Sequence, residues 1–456
     1  MKKFILFILG IIVAFFAFIV IRAFWNNSHT KNPQNTLTVL KNVLPFSPSE
    51  FLGSKNPPTG QQTNTSTDTP PLFIDASSTE QSSNVSIIPR MRHYTLVPTA
   101  GQIVLEKNKD VIRDRVKVKE KGYYVRYVDR GTGHIFEIKT DAPNSTKISN
   151  TTIPKIYEAF FLPSGNSLVT RFLDNSEQIV TYLIDLKDKI ATSTQKTAST
   201  TNTVEAQALA EKQTLKDVKG VYLPIGIDQI SLSAGGKIAE LTKENEQGVL
   251  SLLDTSRKPK IMTTSPLREW LINFQGENQI VLTTKPSGLF EGYSYVFDIN
   301  TSGLKKITGG ILGLTILPSF DNSTYLIGEG GENTKLSILS KKDNKSTSLS
   351  IRGLPEKCVW SRKNVTILYC AAPNNVKNSL YPDNWYKGKI FFDDSLWQID
   401  TKTGNMKILS NFSTESGQAI DAINMVLSPD ETYVTFINKI DLTLWGLDLS
   451  KTPQTN

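Results

Sequence analysis

Histidine and cysteine are scarce in this sequence of 456 residues, which has three histidines and two cysteines. Zinc sites and serine-histidine-aspartate triads depend on these side chains. His29 lies in a polar segment near the N-terminus, so that only His93 and His134 remain beside the β-rich part of the chain. The sequence also lacks the Gly-x-Ser-x-Gly motif that presents a hydrolase nucleophile. It therefore predicts no catalytic residue, no metal site and no cofactor.

Apolar residues make up only 39% of the chain, and they are concentrated in one run near the N-terminus. Lys2 and Lys3 precede this run, which is uncharged over residues 4–20. At 1.5 Å per residue, a helix over residues 4–25 is about 33 Å long, enough to cross a bilayer core of about 30 Å. We predict a signal-anchor transmembrane helix at residues 1–25, with residues 4–25 in the lipid bilayer. A cleaved signal peptide is the alternative, although no clear Ala-x-Ala site follows the run.

The basic N-terminus also predicts the orientation of the chain, because cytoplasmic flanks of membrane helices are rich in Lys and Arg. We expect a single-pass protein of the cell membrane, with a cytoplasmic N-terminus and the remaining chain on the outer side, periplasmic or extracellular. Residues 26–86 are dominated by Ser, Thr, Asn and Pro. Such a composition buries too little apolar surface to fold, and we therefore predict a disordered tether there.

From residue 87 onward the sequence changes to short β-rich segments in which one pattern recurs. A strand ends in an apolar residue and aspartate, as in Tyr295-Val-Phe-Asp298, and a polar turn and another short strand follow. The recurring strands end at Glu137, Asp185, Asp254, Asp298, Ser340, Asp400 and Asp448. Their spacing is about 45 residues with two longer steps, which is typical of the blades of a β-propeller.

A strand, a tight turn and another strand precede most of these endings, as in residues 161–169, 231–239, 360–368 and 426–434. Gly, Asn and Asp occupy the turns, where unusual backbone angles are needed. Each unit thus holds about four short antiparallel strands. We predict an all-β protein, a β-propeller of seven four-stranded blades, with six or eight blades as alternatives.

One of these turns also carries a family resemblance. Leu427-Ser428-Pro429-Asp430, followed by a strand and by Leu444-Trp-Gly-Leu-Asp448, resembles the WD40-like repeats of the TolB type. The sequence departs from that family's pattern where Glu431 replaces its glycine. The resemblance covers about residues 122–450 and implies a propeller architecture rather than a particular activity.

Closure of the ring is predicted to join the two ends of the β-rich region. The last repeat ends at Ser450 and leaves six residues, too few for its outer strand. The spare β-rich segment 87–106 would supply that strand and remove the open sheet edge. The propeller domain is therefore predicted at residues 87–456, with insertions at 187–220 and 371–394. The first insertion is predicted to be a surface loop with one short helix.

The second insertion is unusually rich in aromatic residues. Trp and Tyr on a loop give contact area with little entropy cost and are enriched at interfaces. The candidate ligand- or partner-binding residues are Tyr381, Asp383, Trp385, Tyr386 and Phe391. The alternative is that Trp385, Tyr386 and Phe391 fold back and cover the blade.

Cys358 and Cys370 lie at equal distances from Asn364, in a predicted hairpin turn. In a hairpin centred there, the two cysteines face each other across two strands. Because such a pair oxidises outside the cytoplasm, we predict a structural disulfide at the base of the second insertion.

The net charge of +8 raises the question of an anionic partner. The densest basic stretch, residues 107–126, also contains Asp110, Asp114 and Glu120, and its valines alternate with lysines. This alternation is typical of a half-buried strand with a solvated face. We therefore predict no binding to nucleic acid, whereas attraction to anionic cell-wall polymers or lipid headgroups stays open.

The predicted function is that of a membrane-anchored, extracytoplasmic binding or scaffold module. Rigid blades would hold variable loops that bind a protein, a peptide or a cell-envelope polymer. The alternative is a propeller glycoside hydrolase acting on envelope glycans, which needs two carboxylates. Asp383, Asp393 and Asp394 would be the first candidates for that role.

Overall fold

The computed structural model describes residues 89–113, 116–187 and 215–452. The predicted membrane anchor, the predicted tether and most of the first insertion lie outside these residues. Within them, no helix is both long enough and apolar enough to cross a membrane.

Twenty-eight strands form seven antiparallel sheets of four strands each. From the inner to the outer strand, blade 1 contains β2 (Thr99–Arg113), β3 (Val116–Asp129), β4 (Ile135–Lys139) and β5 (Thr146–Lys147). Blade 2 contains β6 (Ile156–Phe161), β7 (Ser167–Leu173), β8 (Ile179–Lys187) and β9 (Asp217–Tyr222). Blade 3 contains β10 (Ile227–Leu232), β11 (Ile238–Glu244), β12 (Gln247–Leu253) and β13 (Pro259–Ser265). Blade 4 contains β14 (Trp270–Gln275), β15 (Gln279–Thr284), β16 (Glu291–Asp298) and β17 (Gly303–Leu312). Blade 5 contains β18 (Thr315–Pro318), β19 (Thr324–Glu329), β20 (Lys335–Ser340) and β21 (Ser346–Ser348). Blade 6 contains β22 (Cys358–Trp360), β23 (Ile367–Pro373), β24 (Asp394–Asp400) and β25 (Met406–Asn411). Blade 7 contains β26 (Ala422–Leu427), β27 (Tyr433–Asn438), β28 (Leu444–Asp448) and β1 (Met91–His93).

The seventh sheet closes the ring in the predicted way. Its outer strand β1 comes from the start of the β-rich region and pairs antiparallel with β28, so that Arg92 lies opposite Gly446. His93 stacks on Trp445 with ring centroids 4.1 Å apart. The prediction of an all-β propeller with seven four-stranded blades is confirmed, and so is the TolB-type propeller architecture that the resemblance implied.

Apolar side chains of neighbouring blades pack against one another and form the core. Between blades 1 and 2, for example, Val128 and Leu168 are fully buried in one cluster. Between blades 6 and 7, Leu396 and Phe436 are likewise buried together. Because neighbouring blades cover both faces of each sheet, the second strands are buried at four or more consecutive positions, as in β7, β15, β19 and β27.

Aspartates at the ends of the third strands shape the turns that follow. Asp254, Asp298 and Asp400 each accept hydrogen bonds from backbone N–H groups two to four residues further along. Glu431 takes a left-handed conformation with φ of 60°, in the place where the family pattern has glycine. These three aspartates, and Asp448 in the same way, are thus turn-forming residues. Asp185 differs, since it accepts from the Ser167 hydroxyl and the Arg257 guanidinium.

The strand order gives the ring two faces with different loops. The loops that precede the inner strands and those that join the second and third strands lie on one face, which also carries the second insertion. We call it the insertion face. The loops between the first and second strands lie on the opposite face, as does residue 89, where the described chain begins. There β2 and β3 continue past the blade as a hairpin whose last pair is Arg113 and Val116.

Helical structure is short and lies on the insertion face. A 3-10 turn at Pro355–Lys357 leads into blade 6, α1 (Asp383–Tyr386) lies in the second insertion, and α2 (Phe412–Ser416) precedes blade 7. The side chain of Asn411 caps α2 by accepting a hydrogen bond from the Thr414 N–H group, and Gly417 ends it in a left-handed conformation.

Candidate functional site

The second insertion leaves blade 6 after β23, returns at β24 and contacts loops of blades 4 and 5. The Tyr381 N–H group donates to the Gly331 carbonyl at 2.7 Å, and the Gly331 N–H group donates back to the Tyr381 carbonyl at 2.9 Å. This antiparallel bridge joins the insertion to the loop between β19 and β20. A side chain at Gly330 would collide with the Tyr381 carbonyl oxygen, since a Cβ atom there would lie 2.3 Å from it.

Asp383, the first residue of α1, holds the insertion to blade 4. Its carboxylate accepts hydrogen bonds from the Ser287 hydroxyl at 3.0 Å and from the Gly288 N–H group at 2.7 Å. Both donors lie in the loop between β15 and β16. Hydrogen bonds to a carboxylate are stronger than those between neutral groups, so Asp383 fixes the position of α1.

Charged residues are buried where the insertion meets blades 6 and 7. Lys357 ends the 3-10 turn, Asp394 begins β24 and Asp421 directly precedes β26; all three side chains are 0% exposed. The Lys357 ammonium lies 2.8 Å from Asp394 Oδ2, donates to Asp421 Oδ1, and donates to the Ala422 carbonyl at 2.9 Å. Since a buried charge is tolerated only when it is paired, these three residues depend on one another.

A second lysine extends this group from blade 7. Lys439, which follows β27, donates from Nζ to the Trp385 carbonyl at 2.6 Å and lies 4.8 Å from the centroids of the Trp385 and Phe391 rings. We call Lys357, Asp394, Asp421 and Lys439 the buried ion cluster. Its residues come from three different loops and one strand end of the insertion face.

Aromatic groups of the insertion enclose the cluster. The Trp385 indole N–H donates to Asp421 Oδ2 at 2.8 Å, and the Phe392 backbone N–H donates to the same oxygen at 3.0 Å. The Lys357 ammonium lies 5.5 Å from the Trp385 ring centroid and 5.3 Å from that of Phe392. The carboxylate of Asp421 is therefore held from both oxygens in a site walled by aromatic rings.

The cluster shifts the protonation of its members. Burial raises the pKa of Asp394 to about 7, with Lys357 opposing the shift and Asp421 adding to it. Burial also lowers the pKa of Lys439 to about 8. At Lys357 burial acts against the charged form, but the two carboxylates outweigh it and hold the pKa above its ordinary value. Burial therefore favours the protonated form of Asp394 far more than that of an exposed aspartate.

The five predicted binding residues lie in different environments. Tyr381 and Trp385 are 1% and 4% exposed, so these two rings pack onto the propeller. For Trp385 this agrees with the alternative that the aromatic side chains cover the blade. Asp383 is engaged by blade 4, and Tyr386 is half-buried at the end of α1. Phe391 is 45% exposed. That these residues bind a ligand or partner stays a prediction.

The predicted disulfide between Cys358 and Cys370 is confirmed. The two residues face each other in the register of β22 and β23, and the bond joins positions 12 residues apart in the chain. Both cysteines are buried. The disulfide lies next to Lys357, at the base of the second insertion.

Sequence reasoning missed the buried ion cluster. Lys357, Asp421 and Lys439 are separated by long stretches of chain, and only closure of the blades brings them together. For Asp394 the sequence suggests a different role, that of a hydrolase carboxylate. No local pattern marks Lys357, because Glu356 stands directly beside it and Arg352 lies in the same loop.

Among the described residues, nine large apolar side chains on the insertion face are exposed. They are Leu96, Val97, Ile225, Leu267, Leu289, Phe290, Leu312, Phe391 and Ile440, which we call the apolar rim. The rim residues lie in the loops of this face or, in the case of Leu312, at a strand end next to one. Six others are exposed along strands: Val118, Val221, Tyr222, Ile261, Leu304 and Ile408. On the opposite face, the described loops expose two large apolar side chains, Phe320 and Val365. Exposed apolar groups gathered on one face are typical of an interaction surface.

Comparisons with known proteins show similarity in the fold. The chain is similar to TolB from Acinetobacter baumannii at 11% identity, covering 67% of this chain and 79% of that one with a TM-score of 0.38. It is also similar to an oligogalacturonate lyase in complex with manganese, at 8% identity, 78% and 100% coverage and a TM-score of 0.47. An oligogalacturonate lyase from Vibrio parahaemolyticus gives 9% identity, 76% and 98% coverage and a TM-score of 0.45.

These likenesses concern the fold alone and carry no argument about activity. No protein-family model and no curated protein match the sequence. Among the residues that the structure describes, no group of three or more His, Cys, Asp or Glu side chains is arranged to hold a metal ion. The β-propeller fold of this chain is established by its own strand order.

Proposed function

We propose that this protein is a membrane-anchored, extracytoplasmic binding module whose insertion face binds a protein or a peptide. The observation that carries the proposal is the apolar rim, which gathers exposed Leu, Ile, Val and Phe side chains on one face of the ring. Burial of such side chains against a partner contributes roughly 25 cal/mol per Å² of apolar surface. Leu96, Ile225 and Phe290 are the most exposed side chains of this set, at 87%, 82% and 72%.

The rigidity of the insertion supports the same proposal. Tyr381 is hydrogen-bonded to blade 5, Asp383 to blade 4, and Trp385 to Asp421 before blade 7. A surface held from several sides loses little conformational freedom when a partner binds, so less of the contact energy is spent on ordering.

The chemistry of the apolar rim favours a polypeptide over a cell-envelope polymer. Glycan polymers present many hydroxyl groups, which need hydrogen-bonding partners rather than aliphatic side chains. Leu96, Ile225 and Ile440 offer no such groups. The binding test therefore includes an envelope polymer as the second class of ligand.

The proposed attachment to the membrane relies on residues 1–25, with residues 26–86 as the tether. Alkaline carbonate extraction tests the anchor: an uncleaved anchor leaves the protein in the membrane pellet, whereas cleavage releases it.

A hydrolase acting on envelope glycans is the other function considered. Asp394 is fully buried, and the Asp383 carboxylate is engaged by Ser287 and Gly288. Asp393, half-buried, accepts a hydrogen bond from the Asn374 amide at 3.3 Å. No observation on these carboxylates favours hydrolysis, and the test of function includes it as a contrary outcome.

The test compares two faces of the same ring. Full-length protein in detergent is chemically cross-linked to envelope proteins, and the cross-linked partner is identified by mass spectrometry. We expect Phe290→Ser to lower the yield of that partner at least fivefold. Phe320→Ser, which removes an exposed phenylalanine from the opposite face, is the matched control and is expected to leave the yield unchanged.

Two results would contradict the proposal. Equal losses in the two variants would mean that the apolar rim has no special role in binding. Release of reducing sugar from purified cell walls by the wild-type protein would instead identify a glycan hydrolase. If the protein were retained on insoluble cell-wall polymer and no protein partner were captured, the ligand would be a polymer rather than a polypeptide.

A further inference from the structure

The buried ion cluster brings an amine and a carboxyl group together out of contact with solvent. Lys357 and Asp421 contact each other with both side chains 0% exposed, and Asp394 contacts the same ammonium. The residues are 64 positions apart and lie at the entries of blades 6 and 7. We propose that Lys357 and Asp421 condense spontaneously into an intramolecular isopeptide bond, with Asp394 as the proton carrier. This inference is independent of the proposed binding function.

The reacting atoms are already in contact. The Lys357 nitrogen donates to Asp421 Oδ1, so it lies beside the carboxyl carbon that it would attack. Amide formation converts a buried ammonium and a buried carboxylate into one neutral group. Since burial penalises charges strongly and an amide far less, the enclosure favours the condensed form over the ion pair.

The other oxygen of Asp421 is held by two donors. The Trp385 indole N–H at 2.8 Å and the Phe392 backbone N–H at 3.0 Å both point at Oδ2. When an amine adds to a carboxyl carbon, negative charge develops on this oxygen. Two fixed N–H donors in a water-excluded site stabilise that charge, which is how an oxyanion hole lowers the barrier of acyl transfer.

Asp394 has the position and the protonation that a proton carrier needs. Its Oδ2 atom lies 2.8 Å from the Lys357 nitrogen and accepts from the Ala422 N–H group at 2.7 Å. Its Oδ1 atom is buried and finds no hydrogen-bond partner among the described residues. Burial raises the pKa of Asp394 to about 7, so that it can both accept and release a proton near neutral pH.

The reaction balances without a co-reactant. Asp394 takes a proton from the Lys357 ammonium and passes it to Asp421 Oδ1, which leaves a neutral amine and a neutral carboxylic acid. The amine nitrogen then bonds to the Asp421 carbon, and the charge on Oδ2 is held by Trp385 and Phe392. Asp394 moves a second proton from nitrogen to Oδ1, the C–Oδ1 bond breaks, and one water molecule leaves. No electron is gained or lost overall.

The surrounding rings keep the product from hydrolysis. The Lys357 nitrogen lies 5.5 Å from the Trp385 ring centroid and 5.3 Å from that of Phe392, both of them buried rings. Water displaced by the reaction would have to return past these rings for the amide to be cleaved. The bond would thus be permanent and would join two neighbouring blades covalently.

The experiment is peptide mapping of purified full-length protein by mass spectrometry, after denaturation and reduction of the disulfide. We expect a branched peptide that contains Lys357 and Asp421 and is lighter than its two parts by one water molecule. Lys357→Arg and Asp394→Asn are each expected to give only the linear peptides. Asp393→Asn changes the adjacent carboxylate outside the buried ion cluster and is expected to retain the branched peptide.

Two outcomes overturn the proposal. Linear, unmodified peptides from the wild-type protein would show that the ion pair does not react. Loss of water within a linear peptide around Asp421 would mean cyclisation of the aspartate rather than a cross-link. A branched peptide at wild-type yield in Asp394→Asn would remove Asp394 from the reaction. The wild-type map decides the main question even if a variant fails to fold.

Discussion

Glu240 is a carboxyl group buried inside blade 3. It lies on β11, is 1% exposed, and its Oε2 atom has no hydrogen-bond partner among the described residues. Burial raises its pKa from an ordinary 4.5 to about 7, and Glu244 adds to the shift. Because its pKa is higher in the folded state, the unfolded chain releases this proton first as the pH rises. The contribution of Glu240 to stability is therefore present below about pH 4.5 and is lost as the pH rises to about 7.

Glu240→Gln is expected to remove this pH dependence. The free energy of unfolding of the wild-type protein should fall by about 2–3 kcal/mol more than that of the variant between pH 5 and pH 8. Denaturant unfolding at the two pH values measures the difference. Glu246→Gln, at an exposed hairpin position of the same blade, should behave like wild type. Parallel pH profiles for wild type and Glu240→Gln would contradict the expectation.

The disulfide joins the two strands of one hairpin, β22 and β23. It closes a loop between positions 12 residues apart, which restricts the unfolded chain and contributes about 2–3 kcal/mol to stability. We expect the double variant Cys358→Ala/Cys370→Ala to unfold at a lower denaturant concentration than the oxidised wild type. Reducing agent should move the wild type to the midpoint of the variant and leave the variant unchanged. Detection of two thiols in unfolded, unreduced protein would contradict the bond.

Within single hairpins, the sequence patterns predicted the features that depend on residues close together in the chain. Asn364 and the spacing of the two cysteines gave the correct hairpin and its register, because a turn centre and a pair of facing residues are separated by few residues. The buried ion cluster escaped prediction because Lys357, Asp421 and Lys439 meet only through the ring. The sequence also left the role of Trp385 open, because a tryptophan in a loop can either pack against the protein or bind a partner. In the structure its ring is buried.

Closure of the ring is a property of the whole molecule and depends on β1. Without it, β28 would be an open edge strand, and exposed edges pair with other chains. A chain beginning at Tyr94 lacks β1 and is expected to aggregate in size-exclusion chromatography. A chain beginning at Pro89 keeps β1 and serves as the control. A monomeric Tyr94 chain with unchanged thermal stability would mean that the closing strand is dispensable.

The number of blades was also predictable, because each blade repeats one pattern of strands and turns. The apolar surface of the insertion face was not predictable from the sequence, because it consists of loop residues from nearly every blade. Leu96, Ile225 and Phe290 are unremarkable in the sequence, where single apolar residues in loops are common. They become a surface only when the antiparallel order places their loops on the same side.

The close approach of the insertion to the ring has a consequence for recognising relatives. A Cβ atom at Gly288, Gly313 or Gly330 would lie 2.4, 3.0 or 2.3 Å from the Tyr381 carbonyl oxygen. These glycines belong to blades other than the one that carries the insertion. In related sequences, loss of the insertion should remove the collision with Tyr381 at Gly288 and Gly330. Gly313 should stay glycine in either case, because its φ is 55° and a Cβ atom there would also lie 2.9 Å from Gly330 Cα. Gly288 and Gly330 together are therefore expected to accompany the insertion in related chains.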